Sequence, residues 1–104
     1  MDDVRAGEDG FAAMDPRLTV FALANGVDLA KGEGYRRLEW FSDGFERGIV
    51  IEADGDASFH VGIVRWKSAG TEEEVPTPTP LERGVNAQDV VSLLDRAVEA
   101  ANAL

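Results

Sequence analysis

Cysteine is absent from these 104 residues and histidine occurs once, at His60. A disulfide framework, a thiol nucleophile and a cysteine-based zinc site are therefore excluded, and one chain cannot build a histidine cage for a metal. Long apolar runs are also missing. The longest uncharged apolar stretch, Leu18 to Val27, is far shorter than the roughly 20 residues that cross a bilayer. The first residues, Met1-Asp2-Asp3-Val4-Arg5, are acidic, the reverse of a basic signal-peptide start, so a cytoplasmic location is expected. No glycine-rich phosphate loop occurs; Gly26, Gly32 and Gly34 do not match the dinucleotide-binding spacing. Basic residues are scarce, with 10 Lys+Arg against 20 Asp+Glu and a net charge of −10. Direct binding to DNA or RNA phosphates and attachment to an anionic membrane both need the opposite sign.

What is present is the composition of one small folded domain, 44% hydrophobic and 29% charged. The acidity is uneven. Residues 1–34 and 68–104 carry net −4 and −5, whereas residues 35–67 carry net −1. Residues 1–14 read as a flexible acidic tail, and residues 15–104 as a single α+β domain with a Glu/Pro-rich linker at 69–86. Asp15-Pro16 is a helix-start signal, an N-cap acid before an N1 proline. It opens a helix over 16–24 that Asn25-Gly26 stops. The rival reading makes Asn25-Gly26 a hairpin turn pairing Phe21–Ala24 with Val27–Ala30. Residues 27–34 are read as a turn region.

Three strands follow, at 35–41, 45–53 and 57–67, marked by aromatic and β-branched alternation and separated by turns at Ser42-Asp43-Gly44 and Asp54-Gly55-Asp56. Pro76, Pro78 and Pro80 alternate in the linker, which reads as a polyproline-like spacer or a ligand for an aromatic groove. Asn86 caps a last amphipathic helix over 87–103, with Val90, Leu94, Ala97, Val98 and Ala101 on one face. The expected fold is α-β-β-β-α, a three-stranded antiparallel β-meander with both helices on one face.

Register follows from the turns. A two-residue turn at Asp43-Gly44 pairs Ser42 with Phe45, Trp40 with Arg47 and Leu38 with Ile49. A three-residue loop at 54–56 pairs Ile51 with Phe59, Ile49 with Val61 and Arg47 with Ile63. One face then carries Leu38, Trp40, Ile49, Ile51, Phe59, Val61 and Ile63, and the last helix should cover it, Leu94 meeting Ile49 or Val61. The other face carries Tyr35, Arg37, Glu39, Phe41, Glu46, Gly48, Val50, Glu52, Ser58, His60, Gly62, Val64 and Trp66. Gly48 and Gly62 fall opposite one another there and form a backbone-floored trough, with Trp66 expected to stay substantially exposed. The candidate partner-binding residues are Tyr35, Arg37, Phe41, Gly48, Val50, His60, Gly62, Val64 and Trp66. The competing reading fills the trough with a helix or with the linker.

Chemical motifs are sparse. Glu52-Ala53-Asp54-Gly55-Asp56 has the acid density of a calcium loop without its twelve-residue pattern. His60 is the only imidazole that could act as a general base, and Trp40 over Arg47 is a candidate cation–π pair. No metal or cofactor is expected. Three functions fit: a non-enzymatic module binding a protein partner, or itself as a homodimer, through the outer sheet face; an acidic nucleic-acid mimic that inhibits a basic partner; and a small acid–base enzyme using His60 with Arg37 as anion holder.

Overall fold

Asp43 and Gly44 both take positive φ, 56° and 82°, the pair of values that a type I′ hairpin turn requires and that glycine adopts without steric cost. That turn joins Tyr35–Ser42 to Phe45–Ala53 and pairs Ser42 with Phe45, Trp40 with Arg47, Leu38 with Ile49 and Arg36 with Ile51. The computed structural model describes residues 8–54, 58–67 and 77–104. In chain order the elements are α1 (Glu8–Asn25), β1 (Asp28–Gly32), β2 (Tyr35–Ser42), β3 (Phe45–Ala53), β4 (Phe59–Trp66), β5 (Thr79–Val85), α2 (Ala87–Ser92) and α3 (Leu94–Asn102).

The three-stranded expectation is corrected: the sheet has five antiparallel strands in the order β1-β2-β3-β4-β5. The first extra strand, β1, lies in the stretch read as a turn. Glu33-Gly34 is itself a two-residue turn that pairs Gly32 with Tyr35, and so short a strand, with Asp28, Lys31 and Gly32, has almost no period-2 signal. The second, β5, lies where the linker was expected. Pro80 pairs with Gly62 at the sheet's edge, beside a register shift in the β4–β5 ladder, and an edge position tolerates a residue with no N–H to donate. Of the alternating prolines, Pro76 lies outside the described residues.

The helices differ as well. α1 begins at Glu8 and contains Pro16, so Asp15-Pro16 does not start it. Gly26, at φ 66°, ends the helix rather than turning a hairpin, and the Val27 N–H donates to the Ala22 carbonyl at 3.0 Å. The Asp15 carboxylate turns instead to β2, receiving Arg36 Nε at 2.8 Å and Nη2 at 3.0 Å. Arg36 Nη1 donates to the Gly32 and Tyr35 carbonyls, and its guanidinium lies 4.2 Å over the Phe11 ring. This fork holds the first half of α1 on the β1–β2 hairpin. The C-terminal helix is two helices broken at Leu93. Its cap is the expected one, Asn86 accepting from the Asp89 N–H at 2.8 Å.

All three helices pack on one side of the sheet. Phe11, Met14, Leu18 and Ala22 of α1, Val90 of α2, Leu93, and Leu94, Ala97 and Ala101 of α3 share one buried cluster with Leu38, Ile49, Ile51, Phe59, Val61 and Ile63. Arg47 is the one buried charged residue among those described, 3% exposed. It does not stack on Trp40, as the cation–π expectation had it. It donates to the Ser42 carbonyl and, at 2.8 Å, to the Ala101 carbonyl. Arg65, its cross-strand neighbour, donates to the Leu104 carbonyl and lies 4.2 Å over Phe45. α3 has no basic residue in its last turn, so two strand arginines meet the negative end of its dipole. Trp40 Nε1 donates to Asn102 Oδ1 at 2.9 Å and ties β2 to the same helix end.

Two outcomes follow. Arg47→Ala removes a buried guanidinium together with its bonds to the Ser42 and Ala101 carbonyls and is expected to cost about 1–3 kcal/mol in urea unfolding. Asp15→Ala strands a guanidinium that is mostly shielded from solvent and is expected to cost roughly 1.5–3 kcal/mol. A double-mutant cycle with Arg36→Ala should return a coupling energy of similar size, whereas a helix-cap role for Asp15 would give none.

Candidate functional site

Strand parity sends Tyr35, Arg37, Glu39 and Phe41 of β2, Glu46, Gly48, Val50 and Glu52 of β3, and His60, Gly62, Val64 and Trp66 of β4 to the face opposite the helices. No described helix covers this face. The second hairpin is two residues out of its expected register: Ala53 pairs with Phe59, Ile51 with Val61 and Ile49 with Ile63. The physical reason is that the turn closes one residue later than expected, with the Asp54 N–H donating to the Ser58 carbonyl at 2.9 Å and the Ser58 hydroxyl donating back to the Asp54 carbonyl. A shift of two preserves which face each side chain takes. It does move the glycines: Gly48 lies opposite Val64 and Gly62 opposite Val50, so the two are diagonal neighbours and not a pair.

The trough is occupied by this chain's own atoms. A Cβ on Gly62 would meet Pro78 Cβ at 2.8 Å and the Thr79 carbonyl at 3.2 Å, and one on Gly48 would meet Val64 Cγ1 at 3.3 Å and the Trp66 ring at 3.5 Å. Glycine is needed at both places because another part of the chain lies there. Val50 and Val64 are buried, and Trp66 is half-buried with its ring over Gly48, less open than its strand position suggested.

Two features remain at the surface. At one end, Phe41, Glu46 and Trp66 stand in a row across β2, β3 and β4, each opposite the next. Phe41 is 62% exposed. At the other end a cleft of about 310 Å³ runs between β4 and the segment entering β5, bordered by Glu52, His60, Pro78, Pro80 and Arg83. His60 Nε2 lies 3.2 Å from Asp54 Oδ2, while its Nδ1 is buried without a hydrogen-bond partner among the described residues. Arg37 is outside this cleft. It is bound to Glu39 through Nε and lies 5.8 Å from the Tyr35 ring centre. His60 and Arg37 thus share a face but stand on strands separated by β3. Glu46 and Glu52 have no ionic partner among the described residues.

Sequence reasoning placed Glu46 and Glu52 on this face but did not single them out. It missed Pro78, Pro80 and Arg83 because they belong to the unrecognised fifth strand and the segment entering it. Of the acidic loop read against a calcium site, Gly55 and Asp56 lie outside the described residues. No group of three or more acidic or imidazole ligands suited to a metal occurs among those described. Nor is any helix among the described residues long and apolar enough to cross a membrane. No family model, curated protein or solved structure matches this chain.

Gly62→Val is the sharpest probe of the packed trough. It should push the Thr77–Pro80 segment away and destabilise the fold by about 1–3 kcal/mol. Amide exchange should quicken in β5 while β2 and β3 are unaffected. Unchanged exchange in β5 would show that Pro78 does not rest on Gly62.

Proposed function

We propose that this chain is a protein-binding module acting in the cytoplasm, and that it engages its partner through the helix-free face of the sheet. The observation that carries this reading is the Phe41–Glu46–Trp66 row. An exposed aromatic, a carboxylate with no ionic partner among the described residues and a second aromatic stand side by side on three adjacent strands. Aromatic faces attract cations, and a carboxylate between them adds charge and a hydrogen-bond acceptor. The complementary group is an arginine or lysine side chain flanked by apolar residues. The net charge of −10 draws such a partner from a distance and makes binding salt-dependent. Glu52 extends the acidic character along β3 toward the cleft.

Pro78 and Trp66, packed on the two glycines, keep this surface in one shape, so little ordering opposes binding. The fold carries two apolar layers on β3 and β4, yet helices cover only one. The partner side therefore retains aromatic anchors of the kind that dominate interface energetics.

The test compares baits. Phe41→Asp and Glu46→Lys alter exposed or half-exposed side chains and should leave stability within about 0.5 kcal/mol. Proteins captured by the wild-type chain should be lost from both variants, and should elute as salt is raised from low to near-molar concentration. Identical capture by wild type and both variants contradicts the proposed surface.

A further inference from the structure

α1 is apolar on both sides. Phe11, Met14, Leu18 and Ala22 enter the core, and the opposite side carries Ala13, Pro16, Arg17, Val20, Leu23 and Ala24, all exposed. Val20 is 65% and Leu23 79% exposed. In a chain that is 29% charged, this helix face holds one charge, and residues 18–27 hold none. A helix that is hydrophobic all round belongs in an interior. Among the described residues nothing covers the outer side, which opens into a shallow groove of about 520 Å³ running toward Val91 of α2.

We infer that a second copy of this chain covers it, with the two α1 helices packed antiparallel about a two-fold axis at Val20. Three observations select this occupant. The first is self-complementarity: an axis at Val20 sets Val20 against its own copy, Pro16 against Ala24 of the other chain and Arg17 against Leu23. The second is charge. Arg17 has no ionic partner among the described residues, and α1 has no basic residue in its last turn. Antiparallel packing brings Arg17 of each chain to the last turn of the other α1, where the helix dipole is negative. The third is repulsion: two bodies of net −10 approach at least cost where neither carries carboxylates, and this band has none.

The contact is modest. From Ala13 to Ala24 the band is about 17 Å long and one helix, about 10 Å, wide. That is small beside the roughly 800 Å² per partner of a standard interface, so a weak dimer that dissociates at about 100 μM is expected. Because α1 lies on the helix side of the sheet, such a dimer leaves both outer sheet faces free. The inference therefore stands independently of the proposed function.

The absence of cysteine supplies the test. Val20→Cys introduces a single thiol at the axis, and Phe41→Cys and Glu99→Cys serve as controls on the outer sheet face and on α3. Under mild oxidation the Val20→Cys chain should convert to a disulfide-linked dimer at least tenfold faster than either control. Sedimentation velocity on the unmodified chain should show a concentration-dependent dimer that Val20→Glu weakens at least tenfold and Phe41→Asp leaves intact, all three retaining the same circular dichroism. A chain that stays monomeric into the sub-millimolar range overturns the inference. So does a dimer lost with Phe41→Asp and kept with Val20→Glu, or equal cross-linking at all three cysteines.

Discussion

The type I′ turn at Asp43-Gly44 is the constraint on which the rest of the structure depends. Side chains alternate along a strand, so a slip of one residue would exchange the two faces of β2 against β3. Both faces of the central strands are apolar enough to be core: Ile49 and Ile51 on one side, Val50 and Val64 on the other. What decides between them is β2, whose Leu38 falls on the side of the isoleucines and whose Arg37 and Glu39 fall on the other. The helices go where Leu38 goes. The side of the sheet left without helices is thereby determined by two residues with positive φ.

Two sets of arginine contacts then hold the helix layer in place. Arg36 connects α1 to the β1–β2 hairpin through Asp15 and Phe11, and Arg47 with Arg65 connects β3 and β4 to the end of α3. Each uses charge where helix geometry leaves a deficit. Asp15 precedes a proline inside α1, and α3 has no basic residue in its last turn. The surface consequence is a chain in which Arg36, Arg37, Arg47, Arg65 and Arg96 are engaged with its own acceptors, while Glu46 and Glu52 have no ionic partner among the described residues. A net acidic exterior with aromatic anchors on the helix-free face is a direct result.

How much of this could be read from the residues depended on which signals were local. The β2–β3 register was legible because Asp43-Gly44 is a strong two-residue turn. The cap at Asn86 was legible for the same reason. β5 was not, because Pro80 argues against a strand unless the strand is known to lie at an edge, and that is a fact of tertiary structure. β1 was hidden by its shortness. The start of α1 was misread because Asp15-Pro16 has the form of a cap while its carboxylate serves a partner 21 residues away. The β3–β4 register was wrong by two because the turn closes through Asp54 and Ser58, which propensity does not reveal. That error kept every face but separated Gly48 from Gly62. The Phe41–Glu46–Trp66 row needs both registers, so it emerged only from the structure.

Hα–Hα nuclear Overhauser effects across the β2–β3 hairpin test this account most directly. A two-residue loop makes Ser42 and Phe45 a hydrogen-bonded pair, so the close, non-hydrogen-bonded pairs alternate with it. Strong Hα–Hα contacts are predicted between Phe41 and Glu46, Glu39 and Gly48, and Arg37 and Val50. Contacts displaced by one residue, such as Trp40 with Glu46, would reverse the faces of β2, put Leu38 on the solvent side, and contradict the assignment of helix-bearing and helix-free sides.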